Sequence, residues 1–422
     1  MMSEKSDKKL SVEAYKGVRD FYPMDMFIQN YIFGVMRKTV ESFGYIEYSA
    51  SILEPAELYR SKTSEEIVNE QTYTFMDRGE REVTLRPEMT PTIARMIAGK
   101  RRELAFPLRW YSIPNAFRYE RPQRGRLREY WQLNCDLFGV PDIEGDIETI
   151  WLMYSIMLSF GASVDNFQIE LNDRQVLIGE IETKLHDKAL LAQALRLVDK
   201  KGKMNPEEFE REWKKLSDVQ FQISAQMNER TQKVVEALKG RGVSNIVYNP
   251  ILVRGFDYYT GIVFEVFDTG GKNNRSLFGG GRYDNLLDVF CEEKIPAVGF
   301  GMGDVTIKDF LETYGLLPEY KPTTELYIAR IGEKLDAQVE DIADKLRSFG
   351  LNVAVDLTGK KVGDQIKIAD RQSIPFIIVV GEEELKTGRF KLKNLKSREE
   401  QDANLDEITS IIKKPINEKN SI

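Results

Sequence analysis

Histidine is nearly missing from this chain: among 422 residues there is one, His186. It lies in TKLHDKALL, a helical-looking stretch with no ligand pattern beside it. That scarcity argues against histidine-based triads, zinc hydrolase centres and cysteine–histidine pairs. Cysteine is almost as scarce. Cys135 and Cys291 stand far apart in sequence, suit a reducing compartment and cannot build a zinc site by themselves. No stretch approaches the roughly 18 uncharged apolar residues of a membrane span, and the opening MMSEKSDKKLSVEAYKG lacks the apolar core of a secretory signal. A cytoplasmic protein with no membrane partner is expected. Excess positive charge is absent too. A net charge of −7 argues against a surface coated for nucleic acid, while leaving room for local basic patches. Chemistry must then rest on Arg, Lys, Asp, Glu, Tyr or backbone groups, which favours charge stabilisation and positioning over proton shuttling.

What is present divides the chain. GVRDFYP precedes a helical pattern, FIQNYIFGVMRKTVESFGY, with Gly44 as its stop, and then strand-like IEYSASILEP. Short strands and turns follow around a few helices, which predicts an α+β domain with a mainly antiparallel sheet. Its first part is residues 1–171 and its second part residues 246–318. Between them, residues 172–245 read as a charged helical insertion. LLPEYKP is a linker, and residues 323–422 alternate strand and helix, predicting a separate small α/β domain.

Four clusters could carry chemistry. FRYERPQRGRLREYWQLNCD holds five arginines between positions 118 and 128, at the tip of a long hairpin. Guanidinium groups there suit phosphate, although a lone arginine run is also what a solvated basic loop looks like. Strand alternation puts Arg118 with Glu120 on one face, and Gln132 and Asn134 with Asp136 on the partner strand. Such a mixed-charge face is costly to bury without a ligand. In TLRPEMTP, Thr90 reads as an N-cap for a helix beginning at Pro91, whereas Glu88 has few structural jobs there. LVRGFDYYTGIVFEV packs Arg254, Asp257, Tyr258 and Tyr259 against the start of a strand. FGGGRYDNLLDVF and PAVGFGMGD supply glycines that permit close backbone approach, without the Lys-Ser/Thr ending of a P-loop.

In this order the clusters resemble the class II aminoacyl-tRNA synthetases, and among them the histidyl-tRNA synthetases, over nearly the whole chain. GVRDFYP with the following helix and strand is similar to that family's first motif, which builds a homodimer interface. FRYERPQRGRLREYWQ is similar to its second, and LVRGFDYYTG to a signature of the histidine enzymes. GGGRYDNL resembles a companion stretch of that signature. The resemblance implies formation of an aminoacyl-adenylate from L-histidine and ATP, with Mg2+, and transfer to the 3′ end of tRNA(His). It places Arg118 on the ATP α-phosphate and the amino-acid carboxylate region, Tyr130 on adenine and Glu120 near the ATP base or its loop. Glu88 and Gln132 take the substrate ammonium with Thr90 beside them, and Arg254 lies over the reacting carboxylate and α-phosphate. Asp136 and Tyr259 bind the imidazole, and Tyr258 and Tyr283 close its pocket. Gln123, Arg124 and Arg126 meet the tRNA acceptor end. The C-terminal domain resembles the family's anticodon-binding domain, with the basic stretch KTGRFKLKNLKSR read either as an RNA contact or as a solvated hairpin. Magnesium ligands are not assigned.

One departure stands out. The family's third motif carries an arginine three residues after the last glycine of a stretch like GFGMG, and Thr306 occupies that place at the ATP site. Threonine supplies neither charge nor stacking plane. Another cation, Arg126, Arg282 or Lys308, then takes over, or ATP binds more weakly, or adenylate is not formed. The competing readings are a synthetase-like regulatory or histidine-binding paralogue, and a synthetase for another amino acid.

Overall fold

A computed structural model describes residues 10–60, 71–254, 258–271, 276–290, 294–332 and 336–414. Asp257 and Cys291 lie outside these residues, as do Gly255 and Phe256 of the tyrosine-rich signature. Two compact units form: Met1–Asp20 with Ile28–Pro318, and Phe21–Phe27 with Glu319–Ile422.

The chain runs through α1 (Pro23–Ser42), β1 (Ile46–Glu47), β2 (Leu53–Pro55), α2 (Ala56–Arg60), β3 (Tyr73–Met76) and β4 (Glu82–Leu85). It continues with α3 (Thr90–Lys100), β5 (Leu108–Ser112), β6 (Asn115–Phe117), β7 (Glu129–Phe138), α4 (Ile143–Ser159) and β8 (Phe167–Asp173). Helices α5 (Arg174–Glu182), α6 (Leu191–Lys200), α7 (Pro206–Trp213) and α8 (Glu229–Gly240) follow. The first unit ends with β9 (Ile246–Tyr248), β10 (Ile262–Asp268), β11 (Ser276–Arg282), β12 (Ala297–Gly303) and α9 (Asp304–Tyr314). Its main sheet has the order β1-β5-β7-β12-β11-β10-β8-β9, with β6 paired to β7. Only β1–β5 and β8–β9 are parallel, so the predicted antiparallel character holds. Helix α1 stops where Gly44 adopts φ +81°, a backbone state glycine enters without a Cβ penalty.

Strand β7 sets the plan of the unit. Leu133, Cys135 and Leu137 are buried in a core shared with α1, α4 and α9. Full burial of a leucine contributes about 1.5–3 kcal/mol. The alternate residues Tyr130, Gln132, Asn134 and Asp136 face a cavity on the other side.

The insertion differs from the sequence reading at its end. Leu177, Ile181, Leu195, Phe209 and Trp213 form their own apolar cluster. Asp173 and Asn205 cap α5 and α7 by accepting backbone amides at 2.9 Å. Helix α8 is not part of that cluster: Val234, Val235 and Leu238 join the main core instead. Its charged outer face resembles the helices before it, but its apolar stripe packs on α4.

The second unit contains β13 (Leu326–Arg330), α10 (Asp336–Ser348), β14 (Val353–Val355), α11 (Val362–Arg371) and β15 (Phe376–Val380). Then come α12 (Glu382–Thr387), β16 (Phe390–Asn394), β17 (Glu400–Ala403) and α13 (Leu405–Lys413). The sheet order β14-β13-β15-β16-β17 is parallel through the first three strands and antiparallel in the β16–β17 hairpin. This realises the expected βαβαβ alternation. No helix among the described residues is long and apolar enough to cross a membrane.

Candidate functional site

A cavity of about 960 Å³ opens on the polar face of β7. Residues from the four clusters meet in it: Glu88 and Thr90, the arginine hairpin, Arg254 with Tyr258 and Tyr259, and the glycine-rich β11–β12 pair. Every proposed amino-acid and nucleotide contact among the described residues lines this one space: Arg118, Glu120, Arg126, Tyr130, Gln132, Asp136, Tyr283 and Thr306 belong to it as well.

The β7–β12 register explains the glycines. Asp136 pairs with Gly299 and Asn134 with Gly301. A Cβ at Gly299 would stand 2.6 Å from Asp136 Oδ1 and from the Tyr283 hydroxyl, and one at Gly301 2.6 Å from Gln132 Nε2. At Gly299 the Cys135 carbonyl would also stand at 2.5 Å, so a Cβ there would force the backbone apart, while one at Gly301 would push the Gln132 amide aside; glycine at both places leaves room for the polar side chains of β7.

At the deep end, Tyr283 donates its hydroxyl to Asp136 Oδ1. Asp136 Oδ2 is buried and has no hydrogen-bond partner. Burial pushes the Asp136 carboxyl up to about 7, with the Tyr283 bond opposing the shift. The rings of Tyr258, Tyr259 and Tyr283 surround this end, with centroids 4.8–6.2 Å apart. The Tyr258 hydroxyl donates to Glu88 Oε2 at 3.4 Å.

Arg254 projects from the segment before β10. Its Nη1 donates to Glu265 Oε1 and its Nη2 to the Gly279 carbonyl at 3.1 Å, while Nε is buried without a partner. Burial disfavours the charge, but Tyr259 and Glu265 outweigh it and hold the guanidinium protonated. Glu265 was not singled out in the sequence, yet the signal was there. In IVFEVFD, Ile262, Phe264 and Val266 enter the core, and Glu265 falls on the opposite, cavity-facing parity.

Arg118 donates Nε to the Pro87 carbonyl at 2.9 Å, and its guanidinium lies 5.7 Å from the Tyr130 ring centre. Tyr130 donates its hydroxyl to the same carbonyl at 3.0 Å. Burial, opposed by Arg118, raises the Tyr130 phenol to about 12. Arg118 and Glu120 lie beyond the end of β6 rather than within it, yet both face the cavity. At the hairpin tip a turn joins Gln123 to Arg126 by paired backbone bonds. Arg126 stands 3.0 Å from Glu120, and Arg124 3.6 Å from Asp309.

Three expectations need correction. Thr90 is not an N-cap: Met89 holds that place without a side-chain bond, and Thr90 is the first helical residue, facing the cavity. Arg282 cannot replace a third-motif arginine. It is fully buried, tied to Asp146 at 2.9 Å and to the Val140 and Asp142 carbonyls. Lys308 does not line the cavity and stands 3.7 Å from Glu312. Thr306 itself donates to the Leu277 carbonyl at 2.7 Å. Among the described residues no group of three or more His, Cys, Asp or Glu side chains could hold a metal ion.

Comparison with known proteins gives the family and the fold. A family described as Histidyl-tRNA synthetase matches residues 17–205 and 178–305, and one described as Anticodon binding domain matches 325–415. A histidine–tRNA ligase of Leptospira biflexa is 41% identical over 415 residues, covering 93% of this chain and 95% of that protein. One from Thermoplasma volcanium is 34% identical, covering 96% and 99%. The crystal structure of histidyl-tRNA synthetase from Nostoc sp. PCC 7120 superposes with a TM-score of 0.79 at 22% identity, covering 96% of this chain and 99% of that one. A Bacillus halodurans structure titled as an ATP phosphoribosyltransferase regulatory subunit/histidyl-tRNA synthetase superposes at 0.71 with 23% identity, covering 88% and 99%.

Proposed function

The chain belongs to the histidyl-tRNA synthetase family, and from that premise we propose how its cavity performs histidine–tRNA ligation. The enzyme activates L-histidine with ATP and passes the histidyl group to tRNA(His). In the first step the histidine carboxylate attacks the α-phosphorus and pyrophosphate leaves. In the second, the terminal ribose hydroxyl of the tRNA attacks the acyl carbon and AMP leaves.

Asp136 and Tyr259 hold the imidazole, with Tyr258 and Tyr283 as walls. The free Asp136 Oδ2 is an acceptor waiting for a ring N–H, and a side chain without that donor leaves it buried and unpaired. Glu88 and Gln132 take the ammonium beside Thr90. Arg254 and Arg118 lie over the carboxylate and α-phosphate, where negative charge grows on the non-bridging oxygens. Tyr130 stacks on adenine, and Glu120 lies at the nucleotide loop. Magnesium neutralises phosphate charge when bound with the triphosphate. Such an ion would be held largely by phosphates, waters and one or two carboxylates, and Glu120 and Glu265 face the same space.

At the third motif, Arg126 supplies the cation that Thr306 lacks. It is the cavity-lining member of the three cations considered. Gln123, Arg124 and Arg126 meet the acceptor end of the tRNA. The second unit reads the anticodon, and its basic hairpin contacts phosphate, although Lys393 and Lys396 already pair with Glu400 and Glu319. A homodimer fits the exposed Ile46, Leu53, Phe75 and Met76 near the first motif. The sparse cysteines accord with work in the cytoplasm.

The observation that carries the reading is the convergence of Glu88, Arg118, Gln132, Asp136, Arg254 and Tyr259 on one cavity. ATP–pyrophosphate exchange across a panel of amino acids tests it. Exchange with histidine alone is expected. Exchange with another amino acid, or none with any, overturns it.

A further inference from the structure

The third-motif segment leaves one unusual step in the main sheet. Strand β12 pairs with β7 through Gly301 opposite Asn134 and Gly303 opposite Gln132. One residue further, the chain turns into α9, and a side chain takes over from the backbone. Asp304 Oδ1 accepts the Trp131 amide at 3.0 Å. Asp304 Oδ2 accepts from Arg19 Nη2 at 2.7 Å, and the Arg19 guanidinium stands 5.9 Å from the centre of the Trp131 ring. Asp304 is 4% exposed, so its charge depends on that counter-ion. Two residues before Arg19, the Gly17 carbonyl accepts the Arg128 amide at 2.7 Å. A Cβ on Gly17 would come within 2.8 Å of the Arg128 side chain, which keeps the two segments close.

Three segments remote in sequence therefore converge on the amide of one residue. Trp131 sits between Tyr130 and Gln132, both of which face the cavity. Its own side chain points the other way, so Asp304 reaches the site only through the strand. We propose that Asp304, with Arg19 as its counter-ion, is a positioning residue that fixes the β7 edge and so presents Tyr130 to the nucleotide and Gln132 to the amino acid. The third motif of this chain thus serves ATP binding by anchoring a strand, where a family arginine would contact the ligand. The identity of what Tyr130 and Gln132 hold rests on the function proposed above.

The full-length chain and its Asp304→Ala, Asp304→Asn and Arg19→Gln variants test this by ATP titration and by histidine-dependent exchange. Asp304→Ala is expected to weaken ATP binding about tenfold, the scale of a lost hydrogen bond to a charged group, with kcat at saturating substrate within about threefold. Asp304→Asn keeps an oxygen for the Trp131 amide and should bind ATP within about threefold of the parent chain. Arg19→Gln should fall between them, and it keeps the test open if Asp304→Ala does not fold. Unchanged ATP affinity in Asp304→Ala, or Asp304→Asn as impaired as Asp304→Ala, overturns the proposal. A parent chain that binds ATP yet shows no histidine-dependent exchange overturns the functional reading, while the ATP titrations still decide the role of Asp304.

Discussion

The two units treat buried polar groups in opposite ways. In the second, Asp356 is fully buried and wholly occupied: it accepts the Tyr327 hydroxyl at 2.8 Å and the Thr358 and Gly359 amides at 2.9 and 3.1 Å. Burial works against the Asp356 charge, but these donors outweigh it and hold the carboxyl below its usual range. In the first unit, Asp136 is also buried, keeps one oxygen without a partner and has its pKa raised. Arg254 keeps a buried Nε without a partner as well. Among the described residues, every buried side-chain atom lacking a partner lies in the first unit. Native interiors rarely tolerate such atoms. Among them, Asp136 Oδ2 and Arg254 Nε belong to residues that line the cavity, and the proposed function gives both a ligand as partner.

Removing the cation should have the largest effect. Arg254→Ala is expected to lower the exchange rate by roughly a hundredfold or more, with an unchanged circular dichroism spectrum. Near-normal exchange would mean that the unpaired guanidinium nitrogen has no part in the reaction.

A matched pair of substitutions sharpens the contrast further. For Asp136 the native pKa of about 7 exceeds the ordinary 3.8. Between those values the folded chain binds the proton more tightly than the unfolded chain, so stability falls as pH rises, and above them it levels off. Asp136→Asn should abolish that fall, a difference of up to about 3 kcal/mol between pH 5 and pH 8 in urea unfolding. The same change should raise the KM for histidine about tenfold or more. Asp356→Asn should do the reverse, costing about 1–3 kcal/mol of stability while leaving exchange kinetics alone. Equal behaviour of the two variants would erase the distinction between the units.

Much of this arrangement was legible in the chain. Alternation along YWQLNCD assigned Gln132, Asn134 and Asp136 to one face because strand geometry alone dictates it, whereas Tyr130 came only from the family resemblance. Glu265 obeyed the same parity rule and could have been found by it. The Arg19–Asp304 pair could not, since 285 residues separate the partners and only the turn from β12 into α9 brings them together. The sequence also left Arg126, Arg282 and Lys308 equivalent as cations. The burial of Arg282 against Asp146 is a tertiary fact with no local signature. Helix α8 was misgrouped for a similar reason: charge pattern identifies a helix, while its packing partner decides which core it serves.

The most direct measurement is a crystal structure with histidine and a non-hydrolysable ATP analogue. An imidazole nitrogen about 3 Å from Asp136 Oδ2, and a phosphate or carboxylate oxygen at the same distance from the Arg254 guanidinium, is the expected result. Ligands bound elsewhere, with neither group in contact with them, would contradict the claim that Asp136 and Arg254 define the site.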